Sequence, residues 1–349
     1  MYERPVLDPL PAIVSEGRFA YGTFAKPFGR TNMLDVERPY HHAVPRFIKR
    51  FRLKEWVAFY LGSSRYILMT ALYDAKSAAL ALFQGYDRET RKSFGFRRIL
   101  PGGFFRFGPS LDGCKVAYRS RRDLLAYDLD LSGGSLRVRV DHRRTRTCPA
   151  LEGEFTLPWN DRQTAMQTVC LPLGLNRAMY STKALCPMGG ALLIGGETAD
   201  FSGPDSMGIL DDHKGYYPYR LRYDWVIGFG QDPKGRRVGF NLTDNPVKDP
   251  ERNSENCMWV GGRTFPLPPV KVTRPRGVYE DWVIQDTEGR VDLTFHPETR
   301  FDIRLNLLAA QADYSGPFGS FKGFVRSGEG EKIDASWVYG IGEKKYLRA

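Results

Sequence analysis

What the sequence lacks sets the first limits. Its 349 residues hold five cysteines, at 114, 148, 170, 186 and 257, an odd number, widely spaced and with no C-x-x-C pair. That argues against a disulfide frame or a cysteine zinc site and points to reduced thiols. No apolar run approaches the ~18 residues that a membrane-spanning helix needs, so no transmembrane segment is expected, while peripheral membrane contact stays open. The opening MYERPVLDPLPAIV has acids and three prolines where a secretory signal would have a basic and then an apolar stretch. The expected location is therefore cytoplasmic, and the Asn241-Leu242-Thr243 sequon is expected to be a chance match.

Motifs of the common chemistries are missing too. There is no P-loop, no G-x-S-x-G elbow, no H-E-x-x-H and no dinucleotide fingerprint followed by a βαβ unit. GGALLIGG and GIGE are glycine-rich, but neither opens a helix. Histidines number five. His41 and His42 are adjacent and point to opposite sides of an extended chain. His142 and His296 each end a predicted strand and are expected to be solvated edge residues. Neither a metal nor a cofactor is expected. The net charge of +11 raises a nucleic-acid reading. The basic residues, however, are spread along the chain among acids, with RRTR at 143–146 the densest group, so no nucleic-acid partner is expected.

What is present is a long succession of short strands. WVAFYLG, YILMTALYD, AALALFQGYD and SFGFRRIL are apolar runs separated by GSSR and DRETRK, both good turn chemistry. No 3.6-residue stripe persists through them, which predicts an antiparallel meander. AKSAALALF is alanine-rich enough for a helix, but the flanking hairpin signals favour a strand. In SLRVRVDH, Leu136, Val138 and Val140 share one face and Arg137, Arg139 and Asp141 the other, giving one dry and one wet side. SGG (132–134) is a hairpin turn before it. The second half repeats the style with RLRYDWVIGFG, RRVGFNLTD, CMWVGGRTFPL, VYEDWVIQD, RVDLTFHP, FDIRLNLLAAQ, FGSFKGFV and DASWVYGIGE. TEG (287–289) and PET (297–299) read as hairpin connectors. The predicted fold class is all-β, with two tandem antiparallel β-barrels or sandwiches and few short helices. The expected divisions are an irregular lead-in over 1–45, a first barrel over 46–175 and a second over 176–349.

Polar residues recur inside the apolar runs, among them Asp224, Asn241, Glu255, Asn256 and Arg304, where a barrel must pair them or turn them toward a ligand. The densest stretch is DDHKGYYPYRLRYDW, residues 211–225. Asp212 reads either as a proton donor tuned by a half-dry cavity or as a turn aspartate closing on Gly215. Arg220 reads as a clamp for a ligand carboxylate or as a structural partner of Asp212 or Glu255. Tyr217, Tyr219, Tyr223, Trp225 and Ile227 share a parity opposite Arg220, Arg222 and Asp224. They form either one wall of a ligand cavity or an ordinary core face. Glu255 and Asn256 are expected at the same end of the barrel as Asp212, where Glu255 would be a second carboxylate for acid–base work. Their alternative is a bulge or turn held by side-chain hydrogen bonds.

These stretches, with RFRLKEW (50–56), YSTKALCPMGGALL (180–193), VGFNLTD (238–244), ENCMWVGGR (255–263), GRVDLTFHP (289–297) and GPFGSFKG (316–323), resemble the landmarks of an uncharacterised microbial family catalogued as domain of unknown function 2804. The resemblance runs from about residue 5 to the C-terminus. In plan that family is distantly similar to the lipocalin-like group of carotenoid 1,2-hydratase and tocopherol cyclase. This implies lipocalin-like, calycin-type barrels and a hydrophobic small-molecule ligand, without fixing a reaction. Three readings follow. The first is an enzyme of the cyclase, isomerase or hydratase kind acting on a terpenoid- or lipid-like molecule, with Asp212 or Glu255 as acid and Tyr217 and Trp225 facing the developing cation. The second is a carrier or sensor that binds without reaction. The third is a carboxylate-dependent hydrolase. The oligomeric state has no signature in the sequence.

Overall fold

The computed structural model describes residues 2–306 and 311–348. They form a lipocalin-like, nearly all-β fold of three large sheets with nine, six and twelve strands, antiparallel but for one edge pair, and one short α-helix, Arg46–Arg52. The nine-stranded sheet is the middle layer. Its strand Lys54–Gly62 has no wet face, because Val57, Phe59 and Leu61 pack toward the six-stranded sheet while Ala58 and Tyr60 pack toward the twelve-stranded one. A strand dry on both sides needs an unbroken apolar run, and WVAFYLG supplies it. The six-stranded sheet, by contrast, keeps the alternation of SLRVRVDH. Leu136, Val138 and Val140 are buried against the middle layer, and Arg137, Arg139 and Asp141 are exposed.

The twelve-stranded sheet curls on itself. Val238, Phe240 and Leu242 share a core with Val270, Val272 and Trp282 from its far edge. The two edges meet where Lys271 Nζ lies 2.9 Å from Asp244. This interior is full, with Phe240 meeting Phe321 edge-on at 4.8 Å and Trp282 meeting Phe295 at 5.4 Å. A Cβ at Gly228 would come within 2.6 Å of Val338 and 2.9 Å of Phe240, so even one methyl group has no room. A guest inside this barrel, as the sequence suggested, is excluded by that packing.

The outer wall of the same sheet instead faces the middle layer. Along Arg220–Gln231, Val226 points into the barrel, while Trp225, Ile227 and Phe229 pack with Tyr60, Met69 and Ile209. The division expected near residue 175 falls between two hydrogen-bonded strands of one sheet, Ala165–Gly174 and Arg177–Pro187. Sheet membership changes after Gly215, because Met207–Gly215 pairs with Lys54–Gly62 at the centre of the middle layer. The N-terminal segment adds Gly22–Phe24 beside Ala165–Gly174, with Val6–Leu7 outside it at the edge, and lays Phe19, Phe28 and Met33 over Tyr180 and Tyr216. Residues 297–299 do not make a hairpin, since Asp302–Asn306 pairs with Gln311–Ser315 rather than with Val291–Pro297. Residues 307–310 of the predicted FDIRLNLLAAQ strand lie outside the described residues. No helix among the described residues is long and apolar enough to cross a membrane.

Candidate functional site

Between the middle layer and the outer wall of the curled sheet, the packing leaves a gap whose origin is a row of small residues. Register places Lys183, Asp211, Ala58 and Ala71 side by side on four adjacent strands. The rows on either side carry Trp56 with Tyr73 and Tyr60 with Met69. The two alanine methyls therefore form a dip, which is the floor of a cavity of about 180 Å³. Tyr223, Trp225, Tyr314, Glu343 and Lys345 close it from the opposite sheet. A second chamber of about 180 Å³ shares Trp56, Tyr73, Tyr223 and Lys345 with the first and reaches solvent past the exposed Arg97, Ile99 and Arg304.

The floor carries a buried ionic cluster. Lys183 Nζ lies 3.0 Å from Asp211 Oδ1 and 2.8 Å from Glu255 Oε2, and it donates to Ser181 Oγ at 2.9 Å. Trp56 Nε1 donates to Asp211 at 3.3 Å, and Asn245 Nδ2 to Glu255 at 3.3 Å. Burial alone would lower the Lys183 pKa, but the two carboxylates outweigh it and hold the ammonium above its ordinary value.

Next to this cluster His213 packs tilted against Trp56 at 4.2 Å and meets the Tyr217 hydroxyl through Nδ1 at 2.6 Å. Its Nε2 is 4.0 Å from Glu255 Oε2. Burial, followed by the positive charges of Lys183 and Lys345, pushes the His213 pKa well below its usual range. Burial, reinforced by Glu255, pushes the Tyr217 phenol well above its own. At neutral pH both groups are uncharged. The phenol then donates to Nδ1, and the imidazole N–H sits on Nε2, toward Glu255.

The roof holds the other acid. Glu343 accepts from the Tyr314 hydroxyl at 2.6 Å and from Tyr223 at 3.4 Å. Burial raises its pKa against the opposing pull of Lys345 and the tyrosines. Lys345 itself is ringed by Trp56, Tyr73, Tyr223 and Tyr314, with centroids 5.4, 5.2, 5.4 and 5.9 Å from Nζ. Burial lowers its pKa, with Glu343 and Asp211 opposing. Among the described residues no three His, Cys, Asp or Glu side chains converge as metal ligands. The arrangement presents a buried carboxyl of raised pKa, a neutral imidazole–phenol couple and two lysine side chains to one largely aromatic space.

The match in sequence covers nearly the whole length, residues 5–348, and is to the family described as Domain of unknown function (DUF2804). The chain belongs to that family. No curated protein matches it in sequence. Solved structures align with it, CghA and kievitone hydratase among them. The crystal structure of CghA aligns at a TM-score of 0.47 and 10% identity, over 85% of this chain and 88% of that one. The crystal structure of kievitone hydratase from Nectria haematococca aligns at 0.42 and 14%, over 85% and 89%.

Of the residues singled out in this family member's sequence, Tyr217, Trp225 and Glu255 line the cavity. Trp225 donates to Asn241 Oδ1 at 2.6 Å, which fixes its ring. Glu255 is held by Lys183 and Asn245 rather than left free. The other three do not join them. Asp212 lies in the strand Met207–Gly215, not in a loop, and its parity turns it to the opposite side of the sheet from Asp211 and His213. There, burial lifts its pKa to about 6, partly offset by Lys214 and Tyr180. Arg220 is exposed at the strand start and borders neither chamber. Asn256 is buried as a backbone clamp, accepting from Thr243 N at 2.8 Å and donating to Pro268 O at 3.0 Å. His142, expected in solvent, is buried against Phe96 with Nδ1 at 2.6 Å from Asp123. His296 is half-buried and bound to Asp281 at 2.7 Å.

Sequence reasoning missed Lys183, Asp211, His213, Glu343 and Lys345. Asp211 and His213 were within reach, since their parity opposes that of Asp212 in a strand dry on both sides. Glu343 and Lys345 continue the parity of Tyr339 and Ile341 to the end of the last strand.

Proposed function

We propose that the inter-sheet cavity binds a predominantly apolar small molecule and that the protein acts on it by acid–base chemistry, in an isomerisation, cyclisation or hydration begun by protonation. Glu343 is the acid. The observation that carries this reading is its placement, a buried carboxyl of raised pKa opening on an aromatic cavity. When it gives up its proton, the hydroxyls of Tyr314 and Tyr223 and the charge of Lys345 stabilise the carboxylate left behind. The ring faces of Tyr223 and Trp225 meet the positive charge that develops on the ligand. Tyr217, fixed by His213, supplies an oriented hydroxyl from the floor.

A carrier that binds without reaction is the second reading. The pairing of Asp211 and Glu255 with Lys183 favours it, because both acids on the floor are engaged with a cation. The same pairing leaves the hydrolytic reading without support, since it needs one acid and one nucleophile across the substrate.

The test incubates small-molecule extract of the source cells with wild-type protein and with Glu343→Gln, followed by native mass spectrometry and chromatography of bound and free compounds. Conversion of one compound by the wild type, with the unconverted compound held by Glu343→Gln, is the expected outcome. The same unchanged compound on both proteins makes it a carrier.

A further inference from the structure

The charge lining the two chambers is lopsided. The inner chamber carries three carboxyl groups, those of Asp211 and Glu255 on Lys183 and that of Glu343 in the roof. The outer chamber is bordered by Lys54, Arg97, Arg304 and Lys345 and by no carboxylate among the described residues; the rest of its wall is mostly aliphatic and aromatic. Arg304 is already paired with Asp302 and Asp313. Arg97 and Lys54 are satisfied by backbone carbonyls, those of Asp302 and Ala75. Lys345 differs from all of these. It stands where the chambers meet, and among the described residues it has no carboxylate within ion-pair distance, only the four surrounding rings.

Ring faces attract a cation, yet they do not replace the hydrogen-bond acceptors that an ammonium loses on leaving water. Such a group inside a cavity is poised to receive an acceptor from a guest. Resting on the reading of the cavity as a ligand site, we propose that its ligand is an apolar carboxylic acid, with the carboxylate bound to Lys345 Nζ at the junction and the apolar body lying over Ala58 and Ala71. One ammonium suits one negative charge. A phosphate dianion would bring more charge into this apolar space than Lys345 offsets.

The experiment uses the full chain and three naphthalenes alike in shape, 2-naphthoate, 2-naphthalenemethanol and 2-naphthylmethylammonium, titrated calorimetrically at pH 7. A charge-assisted hydrogen bond adds about 1.5–3 kcal/mol, so 2-naphthoate is expected to bind roughly tenfold or more tightly than the alcohol, and the ammonium weakest. Lys345→Met brings the acid down to the affinity of the alcohol, and Lys345→Arg keeps the preference. Should either variant melt without cooperativity, the wild-type ranking still decides. Equal binding of the acid and alcohol overturns the carboxylate assignment and leaves the cavity a ligand site. Binding of none of the three overturns both.

Discussion

The Tyr217 hydroxyl and the Nδ1 of His213 stand 2.6 Å apart, joining the end of the strand Met207–Gly215 to the segment that follows it. Because the imidazole is kept neutral by burial and by two lysines, the phenol orients it without charging it. Tyr217→Phe is therefore expected to cost about 1 kcal/mol of stability and to mix the two neutral tautomers. The His213 pKa should stay far below 6.5. Nitrogen-15 spectra of the imidazole, recorded across pH, check this. Titration of His213 in its ordinary range would show that Tyr217, not the burial and the lysines, holds it neutral.

Lys183 is the only cation within ion-pair distance of Asp211 and Glu255 among the described residues, and all three are buried. Removing one member of such a cluster leaves uncompensated charge in a dry place. Lys183→Met should lower the unfolding free energy by roughly 3–5 kcal/mol. Adding Asp211→Asn and Glu255→Gln to it should return most of that loss. Urea unfolding of the single and triple variants measures both steps. No recovery in the triple variant would mean that the lysine acts through packing.

Two buried groups give the stability opposite pH dependences. His213 has a folded pKa below its unfolded value, so the unfolded chain takes up the proton first. Its contribution is present above about pH 6.5 and is lost as pH falls below that. Asp212, with its folded pKa lifted to about 6 from 3.8, behaves in reverse. Its contribution is present below the unfolded pKa and is lost as pH rises through about 6. At pH 8 the buried Asp212 carboxylate costs on the order of 2–3 kcal/mol. Asp212→Asn should thus melt above the wild type at pH 8, with the gap closing toward pH 4. Because Asp212 faces away from the cavity, 2-naphthoate affinity should not change. Loss of that affinity would return Asp212 to the site.

The sequence made the strands legible because alternation and turn chemistry are local. SLRVRVDH alternates strictly and becomes a strand with one wet face. The run from Ala78 to Asp87 is a strand despite its alanines. What the sequence could not convey was the third layer. An unbroken run such as WVAFYLG says that both faces of a strand are dry, but not which sheet covers each face. The floor strands Lys54–Gly62 and Tyr66–Asp74 lie far in sequence from the roof strand Val338–Arg348, while the floor strand Met207–Gly215 runs on directly into the roof strand Arg220–Gln231. DDHKG is dense in polar side chains, and its glycine and acids read as a turn, whereas it lies in the strand Met207–Gly215. Treated as a strand, its alternation separates Asp211 and His213 from Asp212, and that assigns the cavity pair. Lys345 looked like one basic residue among many near the C-terminus. Only the convergence of four rings from four other strands distinguishes it.

The alanine dip gives the cavity reading its most direct structural test. Ala71 is half-buried, lines the cavity and pairs with Ala58 across two strands. Replacing its methyl with the isobutyl group of leucine fills space that is open, rather than overpacking a closed core, so Ala71→Leu should be tolerated within about 1 kcal/mol. A substitution into the packed interior makes the contrast. Gly228→Ala has no free volume to use, and the clash with Val338 and Phe240 should cost about 1–3 kcal/mol. If the space above Ala71 is the ligand site, Ala71→Leu should lose at least about tenfold in affinity for 2-naphthoate and for 2-naphthalenemethanol alike, a loss of ~1.4 kcal/mol in each case. Gly228→Ala, measured below its melting temperature, should lose neither. Unchanged binding in a folded Ala71→Leu protein would move the ligand out of the inner chamber, and with it the assignment of Glu343 as the acid.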